Sequence, residues 1–212
     1  MGVCYIVCAL DCAPDIKKRE GALIIGADRG YLNLERAGIS PDIVMGDFDS
    51  YEGEVNCKNI VRFPVIKDDT DSAIAIKYAV ENGYKRVIIY GAIGGNLDHT
   101  VANIAHLANY TENGIDISFI DGDNVIFAVH NSKIAFSCEA RGRISVFAYG
   151  CSAFGVCERG LFYGLENAEL SPLVPLGVSN EFTGKESEIS VSDGTLLIYT
   201  SRENFEKHLT KR

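Results

Sequence analysis

Hydrophobic and polar positions change rhythm near the middle of this chain. In the first half, short unbroken apolar runs alternate with stretches whose apolar residues return every three or four positions. "VCYIVCAL" (3–10), "ALIIGA" (22–27), "DIVMG" (42–46), "RVIIYGA" (86–92) and "IDISFI" (115–120) have strand length. Unbroken runs of this kind suit strands covered on both faces. Between them, "YLNLERAG" (31–38), "SAIAIKYAVENG" (72–83) and "DHTVANIAHLANY" (98–110) predict helices, the first two stopped by Gly38 and Gly83. Such alternation predicts a mostly parallel sheet with helices on its faces.

From "DGDN" (121–124) onward, short strands dominate. "NVIFAVH", "KIAFSC", "RISVFAY", "LFYGLENAEL", "EISVS" and "TLLIYT" are separated by turn signals at Asn131-Ser132, Arg141-Gly142 and Asp193-Gly194. Asp193-Gly194 between two alternating runs predicts a hairpin. Strand alternation in "LFYGLENAEL" places Leu161, Tyr163 and Leu165 on one face and Phe162 on the other. This half predicts an antiparallel sandwich or barrel, and "RENFEKHL" predicts a terminal helix. The expected fold class is therefore α/β. A mostly parallel-sheet N-terminal domain spans residues 1–123, and a C-terminal antiparallel β-sandwich domain spans 124–212.

Composition narrows the partners. The 212 residues suit one large domain or two small ones, and 47% apolar content is enough to bury a core. A net charge of −9 argues against a broad nucleic-acid surface. Phosphates remain accessible to an acidic protein through Mg²⁺, which supplies the positive charge. The cysteines are odd in number and include no CxxC, which predicts free thiols in a reducing, cytoplasmic setting. Cys4 and Cys8 fall in an apolar run and read as core. "MGVCYIVCAL" lacks a basic leader and is too short to span a bilayer, so no membrane association is expected.

The candidate chemistry clusters after predicted strands. "GADRG" (26–30), "GDFDS" (46–50), "KDDTD" (67–71) and "GAIGGNLDH" (91–99) all follow apolar runs. In a parallel sheet, most of these ends converge on one rim, where ligands bind. An extended backbone puts Asp47 and Asp49 on one side, within reach of one hard cation. The same pair can also simply shape a turn. In "KDDTD", Asp68, Thr70 or Asp71 can cap the following helix. Clustered carboxylates repel one another, so two acidic groups on one rim point to a cation or a cationic substrate. Lys67 offsets that charge or reaches a phosphate. Gly94 and Gly95 precede a helix start at Asp98 and His99, an arrangement suited to phosphate binding through backbone N–H groups. In the second half, Tyr163 and the pair Ser179-Asn180 stand out as an aromatic face and a polar pair in apolar surroundings. On pattern alone, a core or edge tyrosine and a turn-forming Ser-Asn pair are the better reading.

Taken together and in order, "GADRG", "PDIVMGDFDS", "KDDTDSAIAI", "GAIGGNLDHTVANI" and "GVSNE" resemble the thiamine pyrophosphokinase family over most of the chain. The resemblance implies an α/β domain, a β-sandwich, and a homodimer with active sites between subunits. It implies pyrophosphate transfer from ATP to thiamine, with Mg²⁺. Carried over by position, Asp47, Asp49, Asp68 and Asp71 hold metal and phosphate, and Asp47, Asp49, Asp71 and Asp98 are the catalytic candidates. Asp28, Gly30, Lys67, Thr70, Gly94, Gly95 and His99 line the nucleotide and phosphate region. Tyr163, Ser179 and Asn180 match the thiamine pocket. Three positions depart from the family pattern: Arg29 replaces a common glycine, Asn96 a common arginine, and Tyr163 a tryptophan found in some members. Two rival readings share the scaffold. One is a nucleotide-dependent transferase acting on another hydroxyl substrate, and the other is a non-catalytic module that binds thiamine or divalent cations.

Overall fold

The structure is a computed structural model that describes residues 2–46, 57–62 and 70–211. Its fold is mixed α/β, with parallel strands in one compact unit and antiparallel strands in the other. The first unit comprises the chain up to Tyr110 together with Gly114–Gly122. The second comprises Thr111–Asn113 and the chain from Asp123 onward.

Among the described residues, the first unit is built on six parallel strands: β1 (Val3–Val7), β2 (Leu23–Ala27), β3 (Ile43–Gly46), β4 (Ile60–Arg62), β5 (Arg86–Tyr90) and β6 (Asp116–Asp121). Three helices accompany them: α1 (Gly30–Arg36), α2 (Asp71–Glu81) and α3 (Leu97–Glu112). The strand order is β4-β3-β2-β1-β5-β6. The chain thus runs outward from β1 to β4, then returns to add β5 on the other side of β1. β2 and β3 are buried along nearly their whole length, as unbroken apolar runs require. Ile6, Ile24, Ile25, Leu34, Ile76, Ile89, Leu107 and Ile117 are fully buried and form the core. α2 ends at Gly83, which takes the left-handed φ of 85°. Tyr84 N–H then reaches back to Ala79 O at 3.1 Å, closing the last turn. β4 has only three residues and little burial, so no apolar pattern announced it.

The second unit contains β7 (Asn124–His130), β8 (Lys133–Phe136), β9 (Arg143–Arg159), β10 (Leu165–Leu170), β11 (Asn180–Glu181), β12 (Ser187–Ser190), β13 (Asp193–Ser201) and β14 (Leu209–Lys211). β9 has 17 residues and serves two sets of neighbours. Residues 144–149 pair with β13, which also pairs with β7. Beyond Gly150, residues 153–159 pair with β10 and β12. Register against β13 shifts between these two stretches, as a bulge does when it bends a strand.

Three local expectations need correction. Asp193-Gly194 does not turn a hairpin: β12 pairs with β8 and β9, whereas β13 pairs with β7 and β9. Gly194 lies inside β13, where an added Cβ would sit 2.9 Å from Ala153 Cα. Turn residues report local backbone freedom, not which strands pair. Residues 161–164 precede β10 and do not continue it, so Leu161, Tyr163 and Leu165 do not share a strand face. The final segment forms one wide helical turn over Asn204–His208 and then enters β14, in place of a terminal α-helix.

Candidate active site

The strand order of the first unit reverses between β1 and β5, and a cavity of about 520 Å³ lies at the carboxyl ends of those strands. Cys8, Ala9 and Leu10 enter it from β1, and Asp28 from β2. Thr70, Asp71 and Ser72 come from the start of α2. Gly91, Ala92, Gly94, Gly95 and Asn96 follow β5, and α3 contributes His99 and Asn103.

Close backbone packing shapes the walls. At Gly91, with φ 66°, a Cβ would lie 2.6 Å from Leu10 O and 3.0 Å from Cys12 Sγ. Only glycine lets the β5 exit approach the β1 exit this closely. Leu10 N–H bonds Gly91 O at 3.2 Å. Buried Asn33 steadies the other side of that loop by donating to Cys8 O at 3.0 Å and Leu10 O at 2.7 Å. Thr100 Oγ1 accepts from Gly94 N and donates back to Gly94 O, both at 3.0 Å.

A neutral hydrogen-bond chain joins α2 to the β5 exit. Thr70 Oγ1 caps α2 by accepting from Ala73 N at 3.2 Å. It lies 3.0 Å from Ser72 Oγ, which donates to Asn103 Oδ1 at 2.8 Å. Asn103 Nδ2 donates to Ala92 O at 2.6 Å. Ser72 and Asn103 are both buried.

The pocket is acidic. Its described lining includes the carboxylates Asp28 and Asp71 and neither lysine nor arginine. Burial, and then the neighbouring Cys12, Asp71 and Asp28, push the Cys8 thiol far above its ordinary range. Cys8 is therefore a neutral wall group and not a nucleophile. Carboxylate and hydroxyl oxygens are the hard donors that Mg²⁺ takes, so the donor set fits that ion. Among the described residues alone, no group of three or more His, Cys, Asp or Glu side chains forms a cation cage.

The structure brings Asp28, Thr70, Asp71, Gly94, Gly95 and His99 together. Gly30 and Asp98 are not among the lining residues. Gly30 instead lets α1 pack on β1, since a Cβ there would meet Val7 O at 1.8 Å. Asp98 is exposed, and its Oδ1 accepts from His99 N at 2.9 Å. Asp47, Asp49, Lys67 and Asp68 lie outside the described residues. Ser72, Asn103 and Asn33 escaped the sequence reading. Asn103 did carry a signal, because it shares the buried stripe of α3 with Leu107, where a polar residue needs partners.

Tyr163, Ser179 and Asn180 belong to the second unit. Tyr163 is 65% exposed and Phe162 66%, which removes the core reading of Tyr163. Their rings meet edge-to-face at 4.9 Å. Asn180 is buried and ties this loop down. Its Nδ2 donates to Tyr163 O at 2.7 Å and to Glu158 Oε2 at 2.9 Å. Its Oδ1 accepts from Tyr163 N and Glu181 N, both at 2.9 Å. All four hydrogen-bonding positions of the amide are occupied. Ser179 takes a left-handed φ of 59° and donates its N–H to Ser145 Oγ at 3.0 Å. Glu158 is buried, and its Oε1 has no hydrogen-bond partner among the described residues. Burial pushes its carboxyl up to about 7, against the lowering bond from Asn180.

A parallel sheet whose strand order reverses over such a crevice defines a class of α/β proteins that bind nucleotides and phosphates there. The sequence profile described as "Thiamin pyrophosphokinase, catalytic domain" matches residues 17–119. Thiamine pyrophosphokinase of Bacillus subtilis is 29% identical over 189 residues, covering 86% of this chain and 88% of that protein. Thiamin pyrophosphokinase 1 of Caenorhabditis elegans is 23% identical over 177 residues, covering 76% and 69%. The crystal structure of the Bacillus subtilis enzyme superposes with a TM-score of 0.84 at 27% identity, covering 94% of this chain and 98% of that one. The sequence profile, the curated relatives and the structural neighbours all indicate the thiamin pyrophosphokinase family.

Proposed function

We infer that the chain is a thiamine diphosphokinase, in which the thiamine hydroxyl attacks the β-phosphorus of ATP. The new O–P bond forms as the bond between Pβ and the oxygen bridging to Pα breaks. AMP leaves with that oxygen, the hydroxyl proton goes to an acceptor, and thiamine diphosphate is the product. The observation that carries this reading is the acidic cavity at the β1/β5 reversal, in a chain similar to this family. A polyphosphate placed there meets two carboxylates and, among the described lining residues, neither lysine nor arginine. Its charge then calls for a divalent cation.

Asp71, with Asp47, Asp49 and Asp68, would hold Mg²⁺. When bound, the ion neutralises phosphate oxygens as charge develops on them. Asp28, Gly94, Gly95 and His99 bind and orient the nucleotide from the described walls, and Thr70 lines the same region, while Gly30 and Asp98 act from behind them. The antiparallel half, read as a sandwich, offers Tyr163 as an aromatic face for the cationic substrate. Ser179 and Asn180 shape the loop behind that ring. A second copy of the chain would cover the exposed apolar run Leu173, Val174, Leu176 and Val178, because contiguous exposed apolar surface of this kind marks association sites. The enzyme is then a cytoplasmic homodimer whose sites form between subunits.

One assay tests the activity: ATP, thiamine and Mg²⁺ are supplied, and AMP and thiamine diphosphate are both quantified. Equal amounts of the two products are expected. AMP release that does not depend on thiamine would transfer the site to another hydroxyl substrate. Mixing Asp71→Asn with Tyr163→Ala at limiting thiamine, where each variant alone is impaired, tests the shared site. Hybrid dimers should recover part of the activity, and a fully active monomer in light scattering would refute the arrangement.

A further inference from the structure

We propose that Ser72 and Asn103 are positioning residues that turn the Thr70 hydroxyl proton away from the pocket. Thr70 thereby presents a lone pair and accepts a bond from a water of a hydrated divalent cation, in place of donating to a phosphate oxygen. The inference rests on the assignment of this pocket to nucleotide and metal, and it follows from counting protons along one chain of bonds.

Ala92 O only accepts, so the Asn103 amide must direct Nδ2 toward it, at 2.6 Å. Oδ1 is then the atom that faces Ser72, and the single Ser72 proton is committed to it at 2.8 Å. At the 3.0 Å contact between Thr70 Oγ1 and Ser72 Oγ, the donor must therefore be Thr70. Thr70 Oγ1 has one lone pair engaged by Ala73 N–H at 3.2 Å. Among the described residues, its remaining capacity is a single lone pair. A phosphate oxygen also offers only lone pairs and finds no proton there. A metal-bound water, with strongly polarised protons, does. Ser72 thus has a task beyond helix formation, and Asn103 fixes direction through two atoms whose roles cannot be exchanged.

The experiment measures Mn²⁺ binding and metal-free ATP binding separately, by calorimetry and by the electron paramagnetic resonance of free Mn²⁺. Thr70→Val should lose about tenfold in Mn²⁺ affinity, the range for losing an outer partner of a metal site, with metal-free ATP affinity unchanged. Thr70→Ser, which keeps the cap and the lone pair, should bind as the parent does. Ser72→Ala frees the Thr70 proton and should lose a smaller part of the Mn²⁺ affinity. Adding Thr70→Val to Ser72→Ala should cost no more than Thr70→Val alone, because the two act through one atom. Melting curves of Ser72→Ala and Thr70→Ser confirm that folded protein is compared. A Thr70→Val variant that weakens metal-free ATP binding as much as Mn²⁺ binding would overturn the inference. So would wild-type Mn²⁺ affinity in Ser72→Ala, or a parent protein that binds ATP but not Mn²⁺. Should these shifts appear in a protein that makes no thiamine diphosphate, the Thr70 inference stands and the assigned reaction falls.

Discussion

Two buried polar knots, one in each unit, solve the same problem by different chemistry. In the first unit, Thr70, Ser72 and Asn103 are neutral, and their bonds run in one direction to Ala92 O. In the second, Asn180 is equally well bonded, but one of its partners is the carboxyl of Glu158, whose other oxygen lacks a partner among the described residues. A neutral chain holds its geometry at any moderate pH. A buried carboxyl holds it at a cost that depends on pH. The Thr70–Ser72–Asn103 chain in the site wall is therefore insulated from proton concentration, whereas the aromatic loop is tied to a group that titrates.

The largest effect should come from the charged rim beside the neutral chain. Asp71→Asn is expected to reduce turnover at least as much as the roughly hundredfold that losing even an outer partner of a metal can cost. The melting temperature should hold, because Thr70 and not Asp71 caps α2. Near-parental rates at limiting Mg²⁺ would remove Asp71 from the metal site.

Next in size is the pH response of stability. The Glu158 carboxyl moves from 4.5 to about 7 on folding. Between those values the unfolded chain releases its proton while the folded chain keeps it, so rising pH favours unfolding. The loss starts near 4.5 and is complete above about 7, and it amounts to about 3 kcal/mol by linkage. Glu158→Gln keeps an acceptor for Asn180 and removes the titration. Its melting temperature at pH 8 should exceed the parent's, and the difference should vanish near pH 4. Parallel pH profiles of the two proteins would show that Glu158 is not the titrating group. Asn103→Leu provides the contrast. It should lower stability by about 1–3 kcal/mol, the cost of orphaned buried groups, by the same amount at both pH values.

The smallest effect is expected at the exposed ring. Tyr163→Ala should raise the thiamine KM by the factor that corresponds to about 0.5–2 kcal/mol of cation stacking. The ATP KM should hold, and so should the melting temperature, since the ring is exposed. A large fall in melting temperature with unchanged thiamine KM would make Tyr163 structural.

The sequence displayed the first unit better than the second. β1, β2, β5 and β6 are largely buried apolar runs, and Gly38, Gly83 and Gly114 take left-handed φ at the helix ends. Asp28, Thr70, Asp71 and His99 could be placed because parallel strands send their exits to one rim. Antiparallel strands carry no such rule. Nothing in "RISVFAYGCSAFGVCER" shows that one strand continues past Gly150, or that the strands on either side of Val191-Ser192 take different neighbours. Ser72 stayed hidden because a hydroxyl inside an amphipathic helix looks like a surface residue until the helices pack, whereas Asn103 was marked only by its place on the stripe of Leu107. Glu158 stayed hidden for a related reason: a single acid in an alternating strand normally faces water.

Strand pairing also sets an order of events during synthesis. The parallel unit is complete in sequence once Gly122 has left the ribosome, and its β6 docks on a β5 made only some 30 residues earlier. β7 follows immediately, yet its partner β13 does not exist until residues 193–201 are translated. β9 likewise waits for β12 and β13. For the whole of that interval the nascent chain carries unpaired, strongly apolar strand edges beside a half that can already fold. Those edges make the second unit the part of this protein that most needs a chaperone.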